Sequence, residues 1–251
     1  MTPHPFFNPS QSSVFAALAP KRDSTFEYRY FRVHGMRSIP RTLIAIGTGS
    51  SVLSHLTNNF SQDWSTYKST TPFGFLPVLT ETSADGLSKL EIVESDVIER
   101  YLARKFGLLG NGNVFDEILV DTFTNSTQTV TSQLFEKYFA IRDPALRAAN
   151  KGPLISDHIV PWIKYHEQHL QANGANGHYV GDSVTLADVK TDYLISAIQG
   201  VTDEELISEE KTPAIWRVKK ELEKVEGVAV WRASEEYKGI SEQNFAFLGF
   251  Y

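Results

Sequence analysis

Between Trp64 and Ser95 the chain carries, in order, an indole, an amine, a proline-bounded apolar run and a carboxylate beside a hydroxyl. These are Trp64, Lys68, Pro72-Phe73-Gly74-Phe75-Leu76-Pro77 and Glu94-Ser95. Leu76 stands before a proline that has no N–H, so its own N–H and C=O stay available to pair with an extended ligand. Ser95 opens a helix whose unpaired N–H groups and positive dipole end attract a carboxylate. Glu94 can hold an ammonium, and Lys68 with the Trp64 indole N–H can hold a second carboxylate. Such a set suits a small peptide with an amine and a carboxylate at one end, an amide in the middle and a carboxylate at the other. The chain has no cysteine, so any thiol chemistry uses the thiol of the ligand, and neither disulfides nor cysteine metal sites can form.

The elements around these residues alternate before they become uniformly helical. Thr25 to Val33 alternates apolar with polar side chains and is rich in aromatics, which predicts a strand. Ser38-Ile39-Pro40-Arg41 opens a helix through Ile46, with proline tolerated in the first turn. Two further strands flank an Asp85-Gly86 turn, and a helix from Ser95 to Phe106 places Val97, Ile98, Tyr101 and Leu102 on one face. Strand, helix, strand, hairpin and helix give a βαβ-ββα order, the thioredoxin-like arrangement. Gly107 to Asn113 reads as a linker. Beyond it come helical segments at Val114 to Ile141, with a threonine-rich middle, at Pro153 to Gln171 with a bend at Pro161, at Thr212 to Val225 and at Gly227 to Tyr237. Trp216 and Trp231 are expected core anchors. Thr185 and Asp188 have the spacing of a capping box, with Val184 and Val189 as its hydrophobic staple.

The run from Trp64 and Lys68 through Pro72-Phe73-Gly74, Leu76-Pro77-Val78-Leu79 and on to Glu94-Ser95 resembles the glutathione-binding half of the cytosolic glutathione S-transferases. It is nearest to the tyrosine-type sigma and mu classes, with some serine-type features. The resemblance implies an α+β, thioredoxin-like N-terminal domain over residues 24–106, a linker at 107–113 and an all-α C-terminal domain over 114–240. An extension (1–23) and an aromatic tail (241–251) flank them. It implies glutathione held by Tyr30, Trp64, Lys68, Phe75, Leu76, Pro77, Glu94 and Ser95, and a Pro77 peptide held cis. It also implies conjugation of the glutathione thiolate to a hydrophobic electrophile, as in cytoplasmic detoxification, in a homodimer that needs no cofactor beyond the co-substrate and no metal. The alternatives are a glutathione-dependent isomerase or peroxidase on the same scaffold, or a relative that binds glutathione without turnover.

A thiol of the ordinary cysteine type titrates near about 8.5, and lowering that by two units requires only about 2.7 kcal/mol. One neutral donor aimed at the sulfur can supply most of it. By resemblance that donor is Tyr30, placed before Gly35 and Arg41, with Ser38 as its rival because Ser38-Ile39-Pro40 matches the serine-type helix start. The bland readings are one more strand aromatic and a plain N-cap serine. Met36 occupies the position where sigma-type enzymes carry an arginine near the sulfur. The pocket for the electrophile is expected around Arg32, Val33, His34, Phe135, Tyr138 and Phe139, with the tail Phe245 to Tyr251 either covering it or sealing the domain groove. Phe73 is either an aromatic key for a partner subunit or a core side chain. His166-Glu167-Gln168-His169 does not match H-E-x-x-H and is expected on a solvated helix face. Asn125-Ser126-Thr127 matches the glycosylation sequon, but in a helical setting.

A net charge of −6 over 251 residues argues against nucleic acid as the main partner, and no apolar run reaches the roughly 20 residues of a membrane span. A soluble protein of one or two domains is expected from 41% hydrophobic content. Residues 1–22, with Pro3, Pro5, Pro9 and Pro20, do not resemble a secretory signal. Their single arginine, Arg22, falls short of the number usual in a transit peptide, and they are expected to be draped on the fold or disordered.

Overall fold

A computed structural model describes residues 11–31, 33, 38–54 and 68–240. Strands β1 (Thr25–Arg29), β2 (Val78–Thr82) and β3 (Lys89–Val93) form one antiparallel sheet in that order. Tyr28 faces Leu79, and Leu79 faces Ile92, so alternate side chains of all three strands reach the same core. Among the described residues no strand stands between β1 and β2 to complete the expected βαβ unit, and residues 55–67 lie outside the described residues. The Asp85-Gly86 turn joins β2 to β3 as expected, with Gly86 at φ 74° and the Ser83 hydroxyl donating to Asp85.

Two helices back the sheet, α2 (Ser38–Thr48) and α3 (Ser95–Phe106). The first strand ends at Arg29, not Val33, because the next carbonyls turn to another partner: Arg41, fully buried on α2, donates to Val33 at 2.8 Å and Phe31 at 3.1 Å. On α3 the buried face is Ile98, Leu102 and Ala103 with Glu99 and Lys105, while Val97, expected on that face, points to solvent. Gly107 ends α3 in the left-handed conformation at φ 75°, which a side chain would resist.

Helix α1 (Gln11–Leu18) precedes the sheet. Disorder is the wrong expectation for residues 11–23, which drape instead: Leu18 is 1% exposed in the core, and its carbonyl accepts from Lys105 Nζ at 2.9 Å. Lys105 also pairs with the buried Glu81 at 2.7 Å, and the Tyr101 hydroxyl donates to the same carboxylate. An ion pair without water needs every lone pair and proton matched, and the arm's carbonyl supplies the match that the sheet alone lacks.

The rest of the described chain is helical: α4 (Val114–Leu134), α5 (Pro144–Leu154), α6 (Val160–Ala172), α7 (Leu186–Gln199), α8 (Pro213–Glu223) and α9 (Glu226–Ala233). The segments expected to be continuous at 114–141 and 153–171 each contain one turn of π-helix, at Phe135–Phe139 and Ile155–Ile159. The expected linker is pinned, for the Leu186 N–H donates to Leu108 at 2.9 Å and Leu108 and Leu109 are buried. Helix α7 starts at the expected capping box. The Asp188 carboxylate accepts from the Thr185 N–H at 2.7 Å, the Thr185 hydroxyl at 2.8 Å and the Tyr179 N–H at 2.9 Å. Trp231 is a buried anchor, whereas Trp216 is half-buried under the ammonium groups of Lys219 and Lys220.

The solvated-face expectation for His166-Glu167-Gln168-His169 holds only for Gln168 and His169. Trp162, His166 and Leu170, four residues apart, form the buried stripe of α6. His166 meets Ser126 Oγ at 2.9 Å and the Tyr179 hydroxyl at 2.8 Å, and burial pushes its imidazole down to about 3. Glu167 accepts the Ala214 and Ile215 N–H groups, both at 2.9 Å, capping α8 from another helix. Asn125 of the sequon lies in α4 with its amide donating to Asp121, a helical setting as expected.

Candidate functional site

The residues between Phe73 and Ser95 meet in one cleft of about 340 Å³, lined by Phe73, Phe75, Leu76, Pro77, Val93, Glu94 and Ser95. The cleft exists because two backbone features turn the chain there. The Leu76–Pro77 peptide is cis, and Glu94 takes φ 68° and ψ 128°, a conformation that costs a non-glycine residue about 1–3 kcal/mol. Ser95 thus begins α3 directly beside the end of β3. No side chain of its own caps that helix, so its first-turn N–H groups face the cleft end of the dipole. Strain stored beside an uncapped helix start suits an anionic group arriving from outside.

On the rim, Lys68 lies on a single 3₁₀ turn (Lys68–Thr70) and is exposed, with its Nζ 5.9 Å from the centre of the Phe75 ring. Gly74, at φ 71°, lets the loop pass close to Lys68, whose Cε would lie 3.3 Å from any added Cβ. Phe73 is exposed, which removes the core reading of that side chain. Trp64 lies outside the described residues, and five of the eight expected peptide contacts line the cleft, Phe75, Leu76, Pro77, Glu94 and Ser95, with Lys68 beside Phe75.

Tyr30 follows β1 directly and is half-buried, 6.3 Å from Tyr28 and 5.5 Å from Phe31 between ring centres. Arg41 adds what sequence reasoning used only as a marker. Its guanidinium carbon lies 5.5 Å from the Tyr28 ring and 6.0 Å from the Tyr30 ring while its nitrogens hold the Phe31 and Val33 carbonyls. Burial lowers the Arg41 pKa, and the neighbouring Tyr28 and Tyr30 offset part of that shift. Ser38 opens α2, half-buried, its carbonyl accepting from the Thr42 hydroxyl at 3.2 Å.

Of the expected electrophile pocket, Arg32, His34 and the tail 241–251 lie outside the described residues, as does Met36. Val33 is half-buried in the loop braced by Arg41. Phe135 is exposed on the π-helical turn, and Tyr138 packs within the helical unit, 5.4 Å from Phe139 and under Arg147. Among the described residues no group of three His, Asp or Glu could hold a metal ion, and no helix is long and apolar enough to cross a membrane.

Lys190 is the residue that sequence reasoning missed. It lies on α7 with its side chain 4% exposed, and it pairs with Glu99 at 2.9 Å and Asp96 at 3.1 Å on α3. The signal was present as a lone lysine in Val189-Lys190-Thr191, in the first turns of a helix that are buried throughout; such a cation must have partners.

Residues 129–235 match the family model described as glutathione S-transferase, C-terminal domain. S-crystallin SL11 of Nototodarus sloanii is 31% identical over 169 residues, which cover 64% of this chain and 74% of that relative. Probable glutathione S-transferase 6 of Caenorhabditis elegans is 27% identical over 215 residues, 82% of this chain and 94% of the relative. The solved Fasciola hepatica sigma class GST superposes with a TM-score of 0.70 at 22% identity, covering 85% of this chain and 99% of that one. At that identity the superposition speaks for architecture: a thioredoxin-like α+β unit followed by an all-α unit. Sequence match and architecture agree across both halves, and the chain belongs to the cytosolic glutathione S-transferase family.

Proposed function

We propose that this protein is a glutathione transferase in which the cleft between Phe73 and Ser95 holds glutathione and Tyr30 stabilises its thiolate. The observation that carries the reading is the convergence of Leu76, cis-Pro77, Glu94 and Ser95 on one cleft at the uncapped start of α3. The α-carboxylate of the γ-glutamyl end would take the first-turn N–H groups of α3 and the Ser95 hydroxyl, and Glu94 the ammonium. The Leu76 backbone would pair with the central amide, and Lys68 with Trp64 would hold the glycyl carboxylate. The Tyr30 hydroxyl then donates to the sulfur, so the thiol proton leaves to solvent and the thiolate attacks the electrophile. A C–S bond forms as the leaving group departs with its electron pair.

Arg41 supports Tyr30 as the donor, because it braces the loop that follows this tyrosine and faces its ring. Ser38 remains the rival. A homodimer fits the exposed Phe73 on the rim and the exposed Val114, Phe115 and Ile118 on α4; sedimentation would measure it.

The test is a glutathione titration followed by the ultraviolet absorbance of the bound thiolate, on wild type, Tyr30→Phe and Ser38→Ala. Loss of the signal in Tyr30→Phe alone is expected. Loss in Ser38→Ala alone moves the role to that hydroxyl. Absence of thiolate in the wild type, with glutathione bound, overturns the catalytic reading in favour of a binding protein.

A further inference from the structure

The first turns of α3 pose an electrostatic problem. Glu94, Asp96 and Glu99 place three carboxylates within six residues at the helix start where a ligand carboxylate would have to sit. The helix dipole contributes the equivalent of roughly half a positive charge there, which three unbalanced anions would overwhelm. Lys190 comes from the other unit of the fold, 94 residues from Asp96 in sequence, and its Nζ meets Glu99 Oε2 at 2.9 Å, Asp96 Oδ1 at 3.1 Å and the Gln128 amide oxygen at 3.0 Å.

Glu99 is buried as deeply as Lys190, whereas the Asp96 side chain is 75% exposed and follows directly on Ser95 at the cleft. The cation therefore touches both the packed base of α3 and its open mouth. Burial works against the charge of Lys190, but Glu99 and Asp96 outweigh it and raise its pKa above the ordinary value, so the side chain stays charged.

We propose that Lys190 is a positioning residue for the carboxylate of the γ-glutamyl end, fixing the first turns of α3 and cancelling the negative charge that would repel that carboxylate at Ser95. The inference rests on the glutathione reading above, and makes the binding site a product of both units: the small sheet offers the cleft, and the helical unit sets its charge. Lys190 does not reach the sulfur and has no part in the chemical step.

The test compares glutathione with its analogue in which the γ-glutamyl α-carboxylate is an amide, titrated calorimetrically against wild type, Lys190→Met, Lys190→Arg and Glu99→Gln. The wild type should prefer glutathione over the amide. Lys190→Met should weaken glutathione binding on the order of tenfold, the loss of one charge interaction with the bound carboxylate, and bring the preference toward unity. Lys190→Arg should restore it. Glu99→Gln, which leaves the cation with less negative charge around it, should enlarge the preference, and this variant carries the test if Lys190→Met does not fold. Equal weakening of both ligands in Lys190→Met, or an unchanged preference in Glu99→Gln, overturns the proposal and reduces Lys190 to a helix clamp. A wild type that binds neither ligand instead overturns the glutathione reading itself, and does so before any variant is measured.

Discussion

Replacing Gly227 with alanine adds one methyl group where α9 crosses α2, and the structure says how little room there is. A Cβ at Gly227 would overlap the Ala45 carbonyl oxygen and lie 2.6 Å from the Ala45 carbonyl carbon and 3.0 Å from Gly49 Cα. Carbon atoms rest at about 3.5–4.0 Å, so α9 must retreat by about 1 Å. The obstacle is backbone, which cannot rotate aside as a side chain would. Behind Gly227 the same helix buries Val228 and Trp231 completely, so the retreat loosens their packing as well. Overpacking typically costs about 1–3 kcal/mol, and a site opposed by backbone belongs at the upper end, about 3 kcal/mol. For a chain of this size about 2–4 °C of Tm follows each kcal/mol, which gives a fall of roughly 6–12 °C. Gly152→Ala is the control: this glycine is exposed within α5 and an added Cβ meets nothing within 4 Å. Alanine there gains up to about 1 kcal/mol of helix propensity, less what a Cβ loses in the helical region before Pro153, so Tm should hold or rise slightly. Both variants would be melted by circular dichroism beside the wild type. A Gly227→Ala protein that melts within a degree of wild type, or rises with Gly152→Ala, refutes the close crossing of α9 on α2.

Asp188→Ala leaves the Thr185 and Tyr179 N–H groups without their acceptor and should cost about 1–3 kcal/mol by chemical denaturation. Burial pushes the Asp188 carboxyl up to about 7 against those hydrogen bonds. A raised acid binds its proton more tightly in the native state, so its contribution is full below about pH 4 and falls as pH rises to about 7. The stability gap between wild type and Asp188→Ala should therefore narrow across that window; a widening gap sinks the assignment. Leu18→Ala should cost about 2–4 kcal/mol if the arm is part of the core, and an unchanged denaturation midpoint would detach α1 from the fold. Lys105→Met strands the buried Glu81 and should cost about 3–5 kcal/mol, unless Glu81→Gln in the same chain rescues it, as the pairing requires. Tyr30→Phe should move the alkaline rise of kcat/KM toward the ordinary thiol value near about 8.5, and a pH profile like that of wild type would take the donor role away from Tyr30.

The parts of this molecule legible in the sequence were those encoded by neighbours along the chain. The Asp85-Gly86 turn, the Thr185/Asp188 box and the order of elements through Ser95 depend on residues within a few positions of one another. Whatever depended on distant partners was not legible. The strand ends at Arg29, and Arg41 holds the Phe31 and Val33 carbonyls beyond it, a contact that no local propensity encodes. His166 looked polar and was placed in water, yet Ser126 and Tyr179 make a buried site for it. The π-helical turns leave no residue signature of their own. In the cleft, the residue types announced a peptide site, while Lys190, which balances its charge, comes from a helix that reads as plain core.

The arm before the sheet docks partly through an atom that every residue possesses. Lys105 grips the Leu18 carbonyl, and the side chain is asked only to be apolar and of suitable bulk. Such a latch asks little of the letters of residues 11–17 beyond Val14 and Phe15, which pack on the core and on Tyr101, so low similarity ahead of the first strand is no licence for trimming it. Expression designs that begin at Thr25 would hydrate an ammonium and a carboxylate that the intact chain keeps dry.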